Sequence, residues 1–193
     1  MRRSFRYYRI RIFFLHTHQD RQGRRRRKLN PVNIYTYTDI KGLKKKDGSA
    51  WYILEVETSK GPATVGDKLH LEQNTENQAE LTALLAAVRR LRGECELHIY
   101  TDSSFVAAGW TVGWIEGWKE KGWKTRKGEP VAFCEMWQEI DQIISSHPMQ
   151  IHVKEHHSYS GWFEFEAKRE KEKKSCTRDS ENSTQQKKSM KQQ

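Results

Sequence analysis

The order in which the hydrophobic spacing changes along the chain constrains its fold more than any other feature. Val32 to Asp39 alternates and is rich in β-branched and aromatic residues, the pattern of a strand with one buried face. Lys44 to Ser49 reads as a charged turn closed by Asp47-Gly48, Trp51 to Thr58 as a second strand, and Thr64 to Leu71, beyond Gly61-Pro62, as a third. The period then becomes helical. Thr75 opens a helix with Gln78 in the capping-box position, Leu81, Leu84, Leu85, Val88 and Leu91 form its apolar stripe, and Gly93 is expected to stop it. Cys95 to Thr101 is a short strand. Helical segments follow near Ser103–Gly109, Val112–Lys121 and Phe133–Ser146, the last ended by His147-Pro148. Ile151 to Lys154 is a final strand, and a helix from about Gly161 runs toward the C-terminus. A three-strand meander followed by helix, strand, helices, strand and helix predicts an α/β layer structure around one mixed sheet.

Charge marks the boundaries of that folded region. The 193 residues carry a formal net charge of +10, but residues 1–30 alone hold ten Arg, Lys28 and a single acid, Asp20. Residues 31–167 hold 15 basic and 20 acidic residues, so this middle segment is net acidic. The expected organisation is a basic, unstructured arm over 1–30, a domain over 31–168, and a disordered charged tail over 169–193, too poor in large apolar residues to offset chain entropy. No apolar run approaches the roughly 20 residues a bilayer needs, so no membrane association is expected. The N-terminus lacks the apolar core of a secretory signal, and its scarcity of Ser and Ala argues against a transit peptide. Cys95, Cys134 and Cys176 form neither a CxxC pair nor a zinc pattern, which suits thiols in a reducing compartment and a cytoplasmic location.

Four acids stand where a polar residue is locally unexpected. Asp39 ends the first strand on the face of Tyr35 and Tyr37. Glu80 lies beside the apolar stripe of its helix. Asp102 directly follows the strand LHIYT, and Glu166 sits in the apolar-interleaved stretch GWFEFEA. Ligands of α/β sheets collect beyond the carboxyl ends of strands, which suits Asp102 and, if its strand is adjacent, Asp39. Carboxylates driven together repel, and a cation offsets that; hard oxygens suit Mg²⁺ or Mn²⁺. Two such ions about 4 Å apart can activate a water and stabilise the leaving oxygen in phosphodiester hydrolysis. Taken singly, each acid reads as a turn, cap or solvated residue, and spacing alone does not make the four converge.

The segment TDSSFVAAGWTVGWIEGWKEKGWKTRKGEPVAFCEMWQEID resembles the second half of the type 1 ribonuclease H family, of the bacterial kind that bears a basic handle; GWIEGWKEKGWKT is similar to that handle. TENQAEL, HVKEHHS and NIYTYTDIKG are similar to the family's glutamate-bearing helix, its last strand with the histidine loop, and its opening strand, so the resemblance spans about 32–168. It implies the ribonuclease H-like fold, a five-stranded mixed sheet flanked by helices. It also implies divalent-metal-dependent, endonucleolytic cleavage of the RNA strand in RNA–DNA hybrids, with two Mg²⁺ (or Mn²⁺) ions per site. Carried onto this chain, the metal-binding and catalytic carboxylates are Asp39, Glu80, Asp102 and Glu166, with Glu164 a rival for the last, and His156 is the loop histidine. Asn77 falls on a residue that contacts the RNA strand. The pattern departs from the family where Asp39 is followed by Ile40-Lys41-Gly42 instead of Gly and Ser, where Glu166 replaces an Asp, and where Phe133 replaces an Asn.

A histidine titrating near neutrality could accept a proton from the attacking water or assist product release, with His157 as the alternative to His156. Trp114, Trp118 and Trp123 interleave with Lys119, Lys121 and Lys124. Trp118 and Trp137 are expected in the core, Trp114 and Trp123 at the substrate surface, and the lysines on phosphates. Discrimination of the hybrid would come from groove shape and 2′-hydroxyl contacts near Asn77 and Gln78. The expected partner is an RNA–DNA hybrid and the expected state a monomer without an obligate protein partner. The rival readings are a non-catalytic nucleic-acid-binding module on the same fold and a related metal nuclease acting on DNA.

Overall fold

A computed structural model describes residues 16–19 and 25–173 of the chain. It divides into two compact units, Met1–Glu155 and His156–Gln193. Within the arm expected to be unstructured, β1 (His16–Gln19) and β2 (Arg25–Lys28) pair antiparallel. Backbone groups can pair whatever the charge of the side chains they carry. The expected tail beyond residue 173, including Cys176, lies outside the described residues.

The first unit is built on a five-stranded sheet of order β5-β4-β3-β6-β7. β3 (Asn30–Thr38), β4 (Lys46–Thr58) and β5 (Gly61–Asn74) form the expected antiparallel meander. β6 (Cys95–Thr101) runs parallel to β3, and β7 (Met149–Val153) runs parallel to β6. The mixed sheet flanked by helices is the architecture expected from the sequence.

β4 and β5 are longer than their hydrophobic runs suggest. Asp47-Gly48, read above as a turn, lies inside β4, where the register shifts between Lys46 and Gly48. Gly48 serves close packing here: a Cβ at this position would stand 2.3 Å from Ile40 Cγ1 and 2.6 Å from Asp39 Oδ1.

α1 (Glu76–Val88) starts as read, with the Thr75 hydroxyl accepting from Gln78 N at 3.3 Å. It ends at Val88, well short of Gly93. Arg89 still bonds Leu85, after which the tighter bonds Arg90 N to Ala87 O and Leu91 N to Val88 O turn the chain. Leu81, Leu84, Leu85 and Val88 are buried against Val32, Ile34, Leu97 and Ile99 of the sheet. The pairing of Val32 with Leu97 and of Ile34 with Ile99 lines that surface up.

α2 (Ser104–Thr111), α3 (Trp114–Glu120) and α4 (Cys134–Ile144) close the same core. Trp137 is fully buried there, with Trp110 and Trp118 at ring-centroid distances of 5.5 and 5.6 Å. Gly109 lets α2 approach it, since a Cβ at that position would stand 2.8 Å from Trp137. Gly109→Ala is therefore expected to destabilise the fold by about 1–3 kcal/mol through overpacking, read as a lower urea midpoint at unchanged slope. In the second unit a helix covers 160–173.

Candidate active site

The C-terminal ends of β3 and β6 meet the N-terminal half of α1. Thr36 and Thr101 alternate onto the core face of their strands, and both hydroxyls donate to Glu80 Oε2, at 3.2 and 3.3 Å. Glu80 is 1% exposed. Burial raises its carboxyl pKa to about 7, and nearby Asp102 pushes in the same direction. The Lys41 ammonium and the two threonine hydroxyls act the opposite way. Asp102 is exposed directly after β6. The backbone beneath it is fixed by Ser103, whose N–H donates to Thr101 Oγ1 and whose own hydroxyl caps α2 by accepting from Val106 N.

The loop after β3 is clasped to the start of α1. Gly42 N donates to Glu76 Oε2 at 2.7 Å, and Glu76 N donates to Gly42 O at 3.1 Å. Lys41 Nζ lies 3.3 Å from Glu76 Oε1 and 5.3 Å from the centre of the Tyr37 ring. Glu76 is one helical turn before Glu80, so Lys41 lies along the acidic side of α1 as a built-in cation.

Asp39 faces a different neighbour. Its Oδ1 accepts from Ser49 N at 2.7 Å, and its own N–H donates to Ser49 O at 3.1 Å, which extends the β3–β4 pairing. Tyr35 pairs with Tyr100 in the parallel ladder, so two residues on it is Tyr37 that lies level with Asp102. Among the described residues, no group of three or more His, Cys, Asp or Glu side chains is gathered closely enough to hold a metal ion. Glu80 and Asp102 nonetheless offer the hard oxygens that suit Mg²⁺, and a buried carboxylate with raised proton affinity gains from a nearby cation. Asp39 Oδ1 accepts from the Ser49 amide, which leaves Oδ2 and a further lone pair on Oδ1 for another partner.

In the second unit His156 is exposed, whereas His157 is tied into its loop: Tyr159 N donates to His157 Nδ1, and His157 N donates to Ser160 Oγ. Glu166 Oε2 is paired with Arg169 one turn on, at 2.9 Å, and Glu164 is exposed.

Asn77 and Gln78 are half-buried in the first turn of α1. Trp114 packs edge-on to Phe105 and also against Trp118; Trp123 packs against Trp118. Both are thus tied to the core cluster while staying partly exposed. Lys121 and Lys124 are exposed, but Lys119 Nζ is committed to Asp141 Oδ2 at 2.7 Å, joining α3 to α4. Three residues around Glu80 were not singled out by sequence reasoning: Thr36, Thr101 and Lys41. The threonines share their strands' alternation with Ile34 and Ile99, a signal that marks them as buried polar groups in need of a partner.

The RNase H family model matches residues 31–188. A ribonuclease H of Cupriavidus necator is 39% identical over 134 residues, 69% of this chain and 88% of that protein. One of Cupriavidus pinatubonensis is 39% identical over 88 residues, 45% of this chain and 60% of that protein. One of Bradyrhizobium sp. is 43% identical over 83 residues, 42% of this chain and 53% of that protein. With the last two, the chain spans only a little over half the relative's length. The crystal structure of LC9-RNase H1, described as a type 1 RNase H with the type 2 active-site motif, superposes with a TM-score of 0.58 at 20% identity. The overlap covers 73% of this chain and 70% of that one, a likeness of fold.

Proposed function

The chain belongs to the ribonuclease H family, and from that premise we propose that it hydrolyses the RNA strand of RNA–DNA hybrids with the help of divalent Mg²⁺ or Mn²⁺. The observation that carries this reading is Glu80, buried between two threonine hydroxyls beside Asp102 at the strand ends. Glu80 and Asp102 are the residues that would hold a cation. When bound, such an ion supplies positive charge to the scissile phosphate and lowers the pKa of an attacking water.

The protein's own groups do the rest. Thr36 and Thr101 fix the orientation of the Glu80 carboxylate. Asn77 and Gln78 face the groove of the hybrid, and Lys121 and Lys124, with Trp114 and Trp123, form the phosphate-tracking surface; Lys119 joins them by leaving Asp141. By family resemblance, Glu166 completes the carboxylate set, two ions are used per site, and His156 moves a proton at the attacking water or the departing product. Asp39 can join the set through Oδ2 while Oδ1 keeps the Ser49 amide. We place the protein in the cytoplasm as a monomer; among the described residues no helix is long and apolar enough to cross a membrane.

The test is a labelled RNA–DNA hybrid incubated with the full chain in Mg²⁺ and, separately, in Mn²⁺. RNA-strand fragments, with the DNA strand and plain duplex DNA left intact, are the expected result. A second reading, a hybrid-binding module without turnover, is favoured by the Lys41 ammonium beside Glu80. Metal-independent hybrid binding with no cutting in either ion would select it. The Lys41 charge also makes a separate prediction. Removing one positive charge near a cation site in a high-dielectric surround is worth about 1 kcal/mol, so Lys41→Met is expected to tighten Mn²⁺ binding about fivefold. Electron paramagnetic resonance of free Mn²⁺ measures this directly.

A further inference from the structure

The loop from β3 into β4 carries more positive charge than the fold around it explains. Lys41, Lys44, Lys45 and Lys46 are four of the 15 basic residues in a segment, 31–167, that is net acidic, and they fall within six positions. Like charges this close repel one another, and an anion laid against them offsets the repulsion. Two of the four are engaged inside the loop: Lys41 Nζ lies on Glu76, and Lys46 Nζ donates to Lys41 O at 2.9 Å. Lys44 and Lys45 are exposed and have no hydrogen-bond or ion-pair partner among the described residues. Leu43 beside them is 82% exposed, so the tip of the loop stands clear of the core.

The tip is nonetheless held at its root. Ile40 is buried in the space that Gly48 leaves free, and its N–H donates to Thr38 Oγ1 at 3.1 Å. Gly42, at a φ of 86° that favours glycine, exchanges two hydrogen bonds with Glu76 at the start of α1. On the returning side, Asp47 Oδ1 accepts from Gln73 N and Nε2 at 2.9 and 3.0 Å. A loop fixed at both ends presents its ammonium groups with less ordering cost on binding. Its position is equally defined. β3 lies between β4 and β6, so the loop leaves β3 on the β4 side. α2 leaves β6 on the other side, packs against β6 and β7, and carries α3 beside it. Lys44 and Lys45 therefore flank the Glu80–Asp102 pair from the side away from Lys121 and Lys124.

We infer that Lys44 and Lys45 form a second phosphate-binding surface, which grips the backbone of a nucleic-acid duplex on the β4 side of the carboxylates. The inference rests on the hybrid-binding reading above and extends it. An ammonium is a compact point charge that meets a phosphate oxygen whatever the sugar, so this contact adds affinity without selecting hybrid over DNA. That selection stays with Asn77 and Gln78.

The experiment is equilibrium binding of the full chain to a fluorescent RNA–DNA hybrid and to a DNA duplex of the same sequence, in EDTA so that neither strand is cut, with salt varied from about 50 to 200 mM. Each phosphate contact contributes about −0.9 to the slope of log affinity against log salt. The double variant Lys44→Gln with Lys45→Gln should flatten that slope by about 2 on both duplexes, so that over this salt range the parent loses about tenfold more affinity than the variant. Lys44→Arg with Lys45→Arg should keep the parental slope. A control of equal charge, Lys60→Gln with Arg92→Gln, exposed at the opposite end of the sheet, should also keep it. Melting curves verify that each variant is folded. A parental slope in the folded glutamine variant overturns the inference. Equal flattening by the control, flattening confined to the hybrid, or a parent that binds neither duplex does so too. If the parent cuts no hybrid and the slopes differ as described, the cleavage reading fails and the phosphate surface stands.

Discussion

Asp102→Asn is expected to lower RNA-strand cleavage about a thousandfold, equivalent to about 4 kcal/mol of transition-state stabilisation, with no loss of fold. The local structure around Asp102 is held by its neighbours. Thr101 accepts from Ser103 N and bonds Glu80, and Ser103 caps α2. An exposed substitution away from such contacts changes stability by about 0.5 kcal/mol or less, so melting curves of variant and parent should coincide. The loss should fall on kcat with KM little changed, because hybrid affinity is assigned to the lysines and aromatic residues of α3 and the loop after it. Cleavage by the variant within tenfold of the parent would remove Asp102 from the reaction.

Glu80→Gln separates stability from chemistry through pH. Burial lifts the Glu80 carboxyl from an ordinary value of 4.5 to about 7. The folded state therefore holds this proton more tightly than the unfolded chain does. The contribution to stability is fully present below about pH 4.5, is lost as pH rises through 7, and leaves a buried charge uncompensated above that. The penalty is on the order of 3 kcal/mol in the metal-free protein. A glutamine keeps an oxygen for the Thr36 and Thr101 hydroxyls and carries no charge. The metal-free variant should therefore melt higher than the parent at about pH 8 and at nearly the same temperature below about pH 4.5. Added Mg²⁺ should raise the parent's melting temperature at the higher pH and leave the variant's unmoved. A gap between the two proteins that is constant across this range would mean that Glu80 is not desolvated.

Most of the architecture was legible because local signals agreed with the fold. The alternation of Val32 to Thr38, the Thr75 cap and the stripe from Leu81 to Val88 each specify an element without reference to distant residues. Glu80 and Asp102 could be read from position alone, one beside a buried helical stripe and one at a strand end. Asp39 could not be settled in that way. In the run Tyr35-Thr36-Tyr37-Thr38-Asp39, Tyr37 and Asp39 share one face, and a period of two cannot tell which is level with Asp102. The parallel register with β6 decides it, and that register is a property of residues more than 60 positions apart. The extension of β4 through Asp47-Gly48 was hidden for a related reason: the glycine answers to Ile40 and Asp39 across the sheet, which local turn chemistry does not reveal. Lys41 is an exposed loop lysine in sequence and becomes informative only once Glu76 and Tyr37 lie around it.

The central place of β3 bears on how the chain is made. On a ribosome, β3, β4 and β5 emerge in order and can pair as they appear, and α1 can cover them. The other edge of β3 then stays open until β6 has been synthesised, at residues Cys95–Thr101, and β6 in turn waits for β7 at Met149–Val153. Through that interval Val32 and Ile34 belong to a strand with free amide and carbonyl groups on one side, the condition under which nascent chains pair with one another. One edge of the sheet therefore stays open until β7 is made, and slowing translation between residues 75 and 153 should cost soluble yield.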